Sequence, residues 1–185
     1  HSGCSMGLLP CWGGADPVFP FAALWGMRAA LKERHPVADG TIEVNPREPS
    51  LPLSDFEGLF AAAREAAGKA YAPYSHFRVG TALRTESGGV HSGCNMENVS
   101  YPVGICAERA ALAQAVVAEG PAMRVAALEV VAIDPQGNLV ACTPCGACRQ
   151  AIMELGPRAR TRFRTRDGHV VERSSPELLP DAFEF

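Results

Sequence analysis

The pattern of apolar and polar positions divides the chain near residue 53, and the part beyond it shows regular secondary-structure periodicities. Residues Ser54–Glu57 have the form of a helix capping box, and the alanine-rich stretch that follows predicts a helix to about Ala70. The nearly continuous apolar run Val125–Ile133 is typical of a strand buried on both faces. The other predicted strands are Val79–Thr85, Val90–Asn95, Leu139–Cys142, Thr161–Thr165 and His169–Glu172, and the other predicted helices are Ile105–Ala118 and Cys145–Leu155. This alternation favours an α/β sandwich around one mixed sheet.

The first 53 residues have a different character. They contain both tryptophans and many glycines and prolines, and the one element that they predict is a short helix over Phe21–Arg34. No motif with catalytic or metal-binding chemistry occurs in them. We therefore expect an N-terminal extension of unknown role over residues 1–53 and one folded domain over residues 54–185.

Composition excludes several classes of protein. The chain has 185 residues, of which 47% are apolar and 20% charged, and its net charge is −3. This apolar content excludes a disordered chain, and the charge argues against a general nucleic-acid binder, because phosphate neutralisation needs clustered cations. The apolar run Val18–Gly26 is far shorter than the ~20 residues of a transmembrane helix and contains Pro20. We expect neither a membrane nor a nucleic-acid partner.

The cysteine content points to a reducing compartment. Seven cysteines are present, an odd number that does not suit a disulfide framework. The apolar run also lacks the basic residues that begin a signal peptide, since the first Lys or Arg is Arg28. We therefore expect a cytoplasmic protein whose clustered thiols bind a metal or do redox work.

Three of the cysteines lie at the starts of two predicted helices. Cys106 begins one of them, and Cys145 and Cys148 lie one turn apart at the start of the other, directly after Pro144. Three thiolates from two helix N-termini would bind one zinc ion and leave its fourth tetrahedral position open. That arrangement is typical of a catalytic zinc.

Two charged residues extend this cluster. Glu108 follows Cys106 too closely to be an easy fourth ligand, and it suits a proton shuttle beside the metal. Three thiolates on one zinc leave a net negative charge that would weaken the acidity of the metal. Arg109 and the helix dipoles would offset part of that charge.

Other readings of the cysteines remain open at this point. A C-x-x-C pair also occurs in thioredoxin-like redox sites, which need no third cysteine, and in structural zinc sites, which need a fourth ligand. Cys142 is the nearest candidate for that ligand, although a strand position more often holds an inert core thiol. The joint presence of Cys106, Glu108 and the Pro144–Cys148 segment favours the catalytic zinc.

The same segments match the zinc-deaminase signature, with cysteine in place of histidine, as Cys106-x-Glu108 and Pro144-Cys145-x-x-Cys148. Further motifs are Tyr71-Ala-Pro-Tyr-Ser-His-Phe77, Val79-Gly80, Gly93-Cys-Asn-Met-Glu-Asn98 and Tyr101-Pro102. With these motifs the chain resembles the small homotetrameric cytidine deaminases from about Ser54 to Phe183.

The resemblance implies a fold and an activity. The fold would be a three-layer α/β/α sandwich with a mixed five-stranded sheet, and residues 54–185 would form the catalytic domain. The activity would be hydrolytic deamination of cytidine and 2′-deoxycytidine to uridine and 2′-deoxyuridine with release of ammonia, a step of pyrimidine salvage. One zinc ion per chain and a homotetramer are also implied.

The resemblance assigns the metal and proton-transfer roles residue by residue. Cys106, Cys145 and Cys148 would bind zinc. Glu108 would be the general acid and base, and Arg109 would temper the thiolate charge.

The residues implied to contact the nucleoside are Phe77, Asn95, Glu97, Tyr101, Ala107 and Phe183. Phe77 would lie against the pyrimidine ring. Asn95 and Glu97 would bind the ribose 3′-hydroxyl, and their spacing on an extended segment places them on one face. Tyr101 and Phe183 would reach the site of a neighbouring protomer.

Three competing functions follow from the same sequence. One is a deaminase for another aminopyrimidine, and one is a non-enzymatic structural zinc module. A polynucleotide-editing deaminase has the support of five alternating arginines with Phe163 on the opposite face; they are Arg158, Arg160, Arg162, Arg164 and Arg166. We favour a solvated face that protects an edge strand, because a clamp on a free 3′-hydroxyl leaves no room for a continuing phosphate.

Overall fold

A computed structural model describes the chain over residues 53–183, without the side chains at positions 53–55 and 57. The predicted helix Phe21–Arg34 and the N-terminal extension lie outside the described residues. The side chains of the predicted capping box at Ser54 and Glu57 lie outside them too.

Helices and strands alternate along the described chain. The helices are α1 (Leu53–Gly68), α2 (Ala107–Glu119), α3 (Gly146–Leu155) and the one-turn α4 (Ser175–Leu178). The strands are β1 (Arg78–Thr85), β2 (Val90–Cys94), β3 (Val125–Ile133), β4 (Leu139–Val140), β5 (Arg160–Arg164) and β6 (Val170–Ser174). A single 3₁₀ turn over Tyr101–Val103 precedes α2.

The strands form one mixed sheet. Its order is β2-β1-β3-β5-β6, and the two-residue β4 pairs with β3 outside this path. The β3–β5 pair is parallel and the other pairs are antiparallel. The long β3 pairs with β1 along its whole length, and its nearly continuous apolar pattern agrees with its central place in the sheet. The expected mixed sheet is confirmed, with five strands in the main path and a short sixth strand beside β3.

The sheet lies between helices on both faces. On one face, α1 packs the fully buried Phe56, Leu59 and Ala63 against Ala82 of β1 and Val131 of β3. On the other face, α2 and α3 enclose a larger cluster, whose bulky members are Leu83, Leu112, Leu128, Ile152 and Phe163. This arrangement confirms the three-layer sandwich.

A glycine allows α2 to lie close to β2. A Cβ atom at Gly93 would come within 2.4 Å of the backbone nitrogen of Ala111 in α2. Because a real side chain does not fit there, the helix approaches the strand only with glycine at this position. The close contact brings the start of α2 near the segment that follows β2.

Both thiol-bearing helices begin one or two residues later than predicted. Cys106 and Cys145 have extended backbones and are the N-cap residues of α2 and α3. Cys142, predicted in a strand, lies beyond β4 and forms an isolated bridge with Arg164. The last helix, α4, has a capping box formed by Ser174 and Glu177 that the sequence reading did not identify.

The expectation that the arginine-rich strand protects a sheet edge is wrong. Strand β5 lies between β3 and β6, so the edge is β6. Thr161 and Phe163 point into the core, and the alternation places the three arginines of β5 on the opposite face. The partners are Glu86 for Arg158, Glu172 for Arg160, Glu129 for Arg162 and the carbonyl of Gly168 for Arg164. Carboxylates of the chain itself therefore pair with three of the five arginines.

Among residues 53–183, no helix is both long enough and apolar enough to cross a lipid bilayer.

Candidate active site

Three cysteine thiols converge where α2 and α3 begin. The sulfur atoms of Cys106 and Cys145 are 3.9 Å apart, and those of Cys145 and Cys148 are 3.5 Å apart. All three sulfurs lie within 4.8 Å of one another. The fold thus joins residues that stand 39 positions apart in the chain.

The starts of the two helices hold these thiols in place. Cys106 and Cys145 are N-cap residues, and Cys148 lies in the first turn of α3 with no exposed surface. Pro144 directly precedes the N-cap Cys145, and its carbonyl oxygen accepts a hydrogen bond of 2.9 Å from Nε of Arg149. The positive ends of two helix dipoles therefore face the sulfur atoms and stabilise negative charge on them.

The spacing of the thiols fits zinc. Zinc–sulfur bonds of about 2.3 Å in tetrahedral geometry place the sulfurs about 3.8 Å apart, close to the observed 3.5 and 3.9 Å. Sulfurs of a disulfide would be only about 2.0 Å apart. In the described part of the chain, no fourth cysteine, histidine or carboxylate joins the group. A zinc ion bound here would keep an open coordination position.

The environment of the three thiols favours negative charge on the cluster, which would attract a cation. Hydrogen bonding from Cys148, with smaller contributions from Cys145 and Arg109, lowers the pKa of Cys106 to about 5. The hydrogen bond to Cys106 and burial raise the pKa of Cys148 above its usual range. The cluster therefore carries thiolate charge at neutral pH even before a metal binds.

Glu108 lies beside this cluster in the first turn of α2. Only 3% of its surface is exposed, and it lines the same cleft as Cys106 and Cys145. Burial, reinforced by the nearby Cys106 thiolate, raises the pKa of the Glu108 carboxyl above its ordinary value. A carboxyl group that takes up protons more readily than usual is suited to acid and base catalysis.

Arg109 provides the cation next to the cluster. Its Nη2 atom donates to the carbonyl oxygen of Gly104 at 3.4 Å, and its Nε is buried without a hydrogen-bond partner among the described residues. Its guanidinium group contributes to the low pKa of Cys106. These contacts agree with the expected charge-tuning role, which stays a prediction.

A cleft of about 620 Å³ runs from the thiols to the loop before β1. This volume lies within the usual range of small-molecule sites. Five of the six expected nucleoside contacts line it, namely Phe77, Asn95, Glu97, Tyr101 and Ala107. Tyr101, expected at a neighbouring protomer's site, lies at the rim of its own cleft. Phe183 is not among the residues that line it.

Asn95 and Glu97 also hold their own chain. Glu97 accepts hydrogen bonds from the Ser75 hydroxyl and from the backbone N–H of Tyr74, the latter at 2.9 Å. Asn95 accepts from the N–H of Val79 and donates to the carbonyl of Phe77. The sequence predicted that both side chains bind the ribose 3′-hydroxyl and did not indicate these bonds within the chain. It also did not single out Ser75, although that serine lies within the motif from Tyr71 to Phe77.

Gln150 is a second residue that the sequence reading did not single out. Its side chain lies on α3 and forms two hydrogen bonds with the backbone of Phe183, at 2.9 and 3.0 Å. Phe183 is 65% exposed. The C-terminal tail is thus fixed to the helix that carries Cys148.

Cys142 lines the cleft but does not belong to the thiol group. Burial, and then the charge of Glu108, raise the pKa of Cys142 to about 12. Its sulfur lies outside the group of three converging thiols. This position does not support the alternative of a structural zinc with Cys142 as the fourth ligand.

A zinc-binding group of three thiols with a buried carboxyl group and an open position is the arrangement of a hydrolytic zinc enzyme. The family model of the cytidine and deoxycytidylate deaminase zinc-binding region matches residues 54–162. The chain belongs to this deaminase family.

Relatives and solved structures agree with this family. A cytidine deaminase of Sporosarcina psychrophila is 42% identical over 130 residues, which are 70% of this chain and 91% of that protein. A cytidine deaminase of Mycobacterium tuberculosis is 38% identical over 133 residues, 72% of this chain and 92% of that one. The crystal structure of a cytidine deaminase from Burkholderia pseudomallei is similar with a TM-score of 0.59 at 45% identity, covering 69% of this chain and 98% of that chain.

Proposed function

We propose that the protein is a zinc-dependent cytidine deaminase. It hydrolyses cytidine and 2′-deoxycytidine to uridine and 2′-deoxyuridine and releases ammonia. The observation that carries the proposal is the position of the buried Glu108 beside three thiols that fit one zinc ion, within one cleft. The relatives named cytidine deaminase, at 38% and 42% identity, support it.

Each residue of the thiol cluster has a role in this proposal. Cys106, Cys145 and Cys148 hold one zinc ion per chain. Zinc, when bound, supplies a Lewis acid that activates water for attack on C4 of cytosine. Glu108 delivers protons to N3 of the ring and to the departing amino group, and its raised pKa suits both transfers. Arg109 offsets the thiolate charge.

The other end of the cleft binds the sugar and the base. After their bonds within the chain, the Asn95 amide still has a second N–H and the Glu97 carboxylate still has a free lone pair. Both therefore have capacity for the ribose 3′-hydroxyl. Phe77 lies against the pyrimidine, and Ala107 contacts the substrate. A site that binds the 3′-hydroxyl and not the 2′-hydroxyl accepts both sugars.

The charge of the cleft favours a nucleoside over a nucleotide. None of the described residues that line the cleft is an arginine, a lysine or a histidine, whereas Glu97 and Glu108 both line it. A 5′-phosphate or a polynucleotide backbone would meet carboxyl groups with no cation to neutralise it. Two of the three arginines of β5, Arg160 and Arg162, form ion pairs within the chain, which weakens the support for a polynucleotide substrate.

Four substrates test this assignment. Zinc-loaded protein is incubated with cytidine, deoxycytidine, deoxycytidine 5′-monophosphate and cytosine-rich single-stranded DNA. We expect the cytosine absorbance to decrease with cytidine and deoxycytidine but not with the monophosphate. We also expect no internal uracil when the DNA is sequenced. Comparable rates on the monophosphate or the DNA would contradict the nucleoside assignment. If protein that contains zinc acts on none of them, the cytidine deaminase assignment is wrong. A deaminase for another aminopyrimidine and a structural zinc site would then remain.

We further propose a homotetramer in which Tyr101 and Phe183 complete neighbouring sites. Three large apolar residues that line the cleft are exposed, namely Tyr74, Met96 and Tyr101. Such exposure is typical of a surface that another chain covers. Light scattering should give the mass of four chains, and a fully active monomer would contradict the proposal.

The remaining parts of the proposal concern organisation and location. Residues 54–185 form the catalytic domain, and residues 1–53 are an extension whose role is unknown. The enzyme acts in pyrimidine salvage in the cytoplasm, where thiols stay reduced. The five cysteines of the described residues, all of them free, support such a compartment.

A further inference from the structure

The loop at residues 72–77 forms the rim of the cleft next to β1, and its backbone is unusual. His76 has a φ angle of 57°, in the left-handed region that residues other than glycine seldom adopt. Its N–H donates to the carbonyl of Ala72 at 3.1 Å. Such conformations persist only where surrounding contacts hold them, and conformations of this kind cluster at functional sites.

The hydroxyl group of Ser75 provides two of these contacts. It donates to Oε1 of Glu97 and accepts a hydrogen bond of 3.0 Å from the backbone N–H of Phe77. The other oxygen of Glu97 accepts from the N–H groups of Tyr74 and Ser75 at 2.9 and 3.3 Å. One carboxylate therefore holds two successive residues of the loop, and one hydroxyl extends that hold to Phe77.

Phe77 is held from its other side as well. Nδ2 of Asn95 donates to the carbonyl of Phe77 at 2.9 Å. Phe77 directly precedes β1, and two side chains, rather than strand neighbours, bind its backbone N–H and carbonyl. Its ring lines the cleft and is 37% exposed. The position of the ring thus depends on Ser75 and Asn95.

We propose that Ser75 is a positioning residue for the nucleoside. Its hydroxyl joins the Glu97 carboxylate to the backbone of Phe77, and so sets the distance between the base contact and the sugar contact. This proposal rests on the proposed function, in which Phe77 contacts the pyrimidine and Glu97 the ribose. A nucleoside has a nearly fixed distance between base and sugar, so both contacts have to be placed together. A hydroxyl suits this link because it donates and accepts at once.

A purely structural turn would have a different signature. Serine hydroxyls often bind a backbone N–H two residues later and stabilise turns without any ligand. Ser87 provides the comparison, because it lies in the turn between β1 and β2 and donates to Oε2 of Glu119 at 2.7 Å, away from the cleft. A turn role lowers thermal stability but leaves nucleoside affinity unchanged.

The experiment compares variants of the zinc-loaded full chain. We expect Ser75→Ala to raise both the KM for cytidine and the Kd for uridine by about tenfold to a hundredfold, with little change in kcat, because a hydrogen bond to a charged group is lost. Ser75→Thr keeps the hydroxyl and should restore both values to within about threefold of the wild type. The matched control Ser87→Ala should change neither. Thermal unfolding accompanies each measurement.

A double substitution tests the link to the ring. Once Phe77→Ala has removed the ring, adding Ser75→Ala should raise KM by clearly less than it does in the wild type. If the rise in KM of the double variant equals the product of the rises in the two single variants, Ser75 does not act through Phe77 and the proposal is wrong.

The remaining outcomes are also decisive. Unchanged KM and uridine binding in an active Ser75→Ala variant would overturn this proposal alone, and so would an equal effect of Ser87→Ala. A wild-type protein that contains zinc and leaves cytidine intact would overturn the proposed function, and this proposal with it. Should the alanine variant not fold, Ser75→Cys keeps the size with only a weak donor and gives the same comparison with Ser75→Thr.

Discussion

The two ends of the cleft are built in different ways. The thiol end consists of Cys106, Glu108, Cys145 and Cys148, and the sugar end consists of Ser75, Phe77, Asn95 and Glu97. At the thiol end the functional groups lie on the first turns of two packed helices. At the sugar end an irregular loop carries them, and hydrogen bonds from side chains to the backbone hold that loop.

This difference separates two kinds of function. The N-cap side chains of α2 and α3 form no capping hydrogen bond, so the thiols at these helix starts are available for metal chemistry. Each polar side chain of the sugar end both holds the loop and remains available to a ligand. We therefore expect substitutions at the thiol end to change kcat or metal content, and those at the sugar end to change KM.

The largest effect is expected for Glu108→Gln. The amide keeps the size of the side chain but cannot take up and release a proton, so kcat should fall by ~10²-fold to 10⁴-fold while zinc and thermal stability are retained. Steady-state kinetics and atomic absorption check this result. Glu154→Gln, an exposed position on α3, is the control and should be neutral. If Glu108→Gln kept a tenth of the activity or more, the thiol end would not include the proton shuttle.

Cys148→Ala should remove zinc from the protein. The thiol has no exposed surface, and its loss leaves too few ligands for tight binding. Cys142→Ala is the matched control, because Cys142 lines the same cleft outside the thiol group and should retain about one zinc per chain. Metal analysis of folded, purified variants separates the two cases. Equal loss of zinc in both would show that the group extends beyond three thiols.

A moderate effect is expected for Asn95→Asp. The carboxylate still accepts from the N–H of Val79, but it no longer donates to the carbonyl of Phe77. KM should rise by about tenfold with little change in kcat. Asn138→Asp removes the hydrogen bond from the Asn138 side-chain amide to Asp134, and neither residue lines the cleft. This control should leave KM unchanged. A fall in kcat larger than the rise in KM would break the distinction between the two ends.

The smallest effect on activity is expected for substitution of Glu129, because this residue belongs to neither end of the cleft. Burial outweighs the attraction of Arg162 and raises the pKa of Glu129 to about 7. Between its ordinary pKa and this value the folded state binds more protons than the unfolded state. The free energy of unfolding therefore decreases as the pH rises through this range, by at most about 3 kcal/mol from this group.

Glu129→Gln should remove that part of the pH dependence and leave KM unchanged. Thermal unfolding at pH 5 and pH 7 measures the difference. The same slope in the variant and the wild type would show that Glu129 does not titrate in this range.

Several parts of this protein follow from local sequence alone. The nearly continuous apolar run of β3 predicted its bounds without error, because a strand with both faces covered leaves few polar positions. The hairpin turn at Gly88 followed from its turn residues, and the spacing of Cys145 and Cys148 followed from one helical turn. The thiol end was accessible to sequence reading because its side chains occupy regular elements.

The sugar end was accessible only in part. The motifs identified Asn95 and Glu97, but nothing local indicated that Ser75, 22 positions before Glu97, binds the same carboxylate. The partners of the β5 arginines were missed for a similar reason, since Glu129 lies 33 positions before Arg162. Interactions between side chains distant in the chain depend on strand order and loop path, which no short motif encodes.

The sequence by itself therefore determined the residue types, the helix starts to within two residues and the strand pattern, because these depend on neighbours within a few positions. Tertiary structure decided which of these residues meet. It placed Cys106 beside Cys145, buried Glu108, and put β5 inside the sheet rather than at its edge. The raised pKa of Glu108 has the same origin, because the free energy of a charge depends on the burial and the charges that the whole fold places around it.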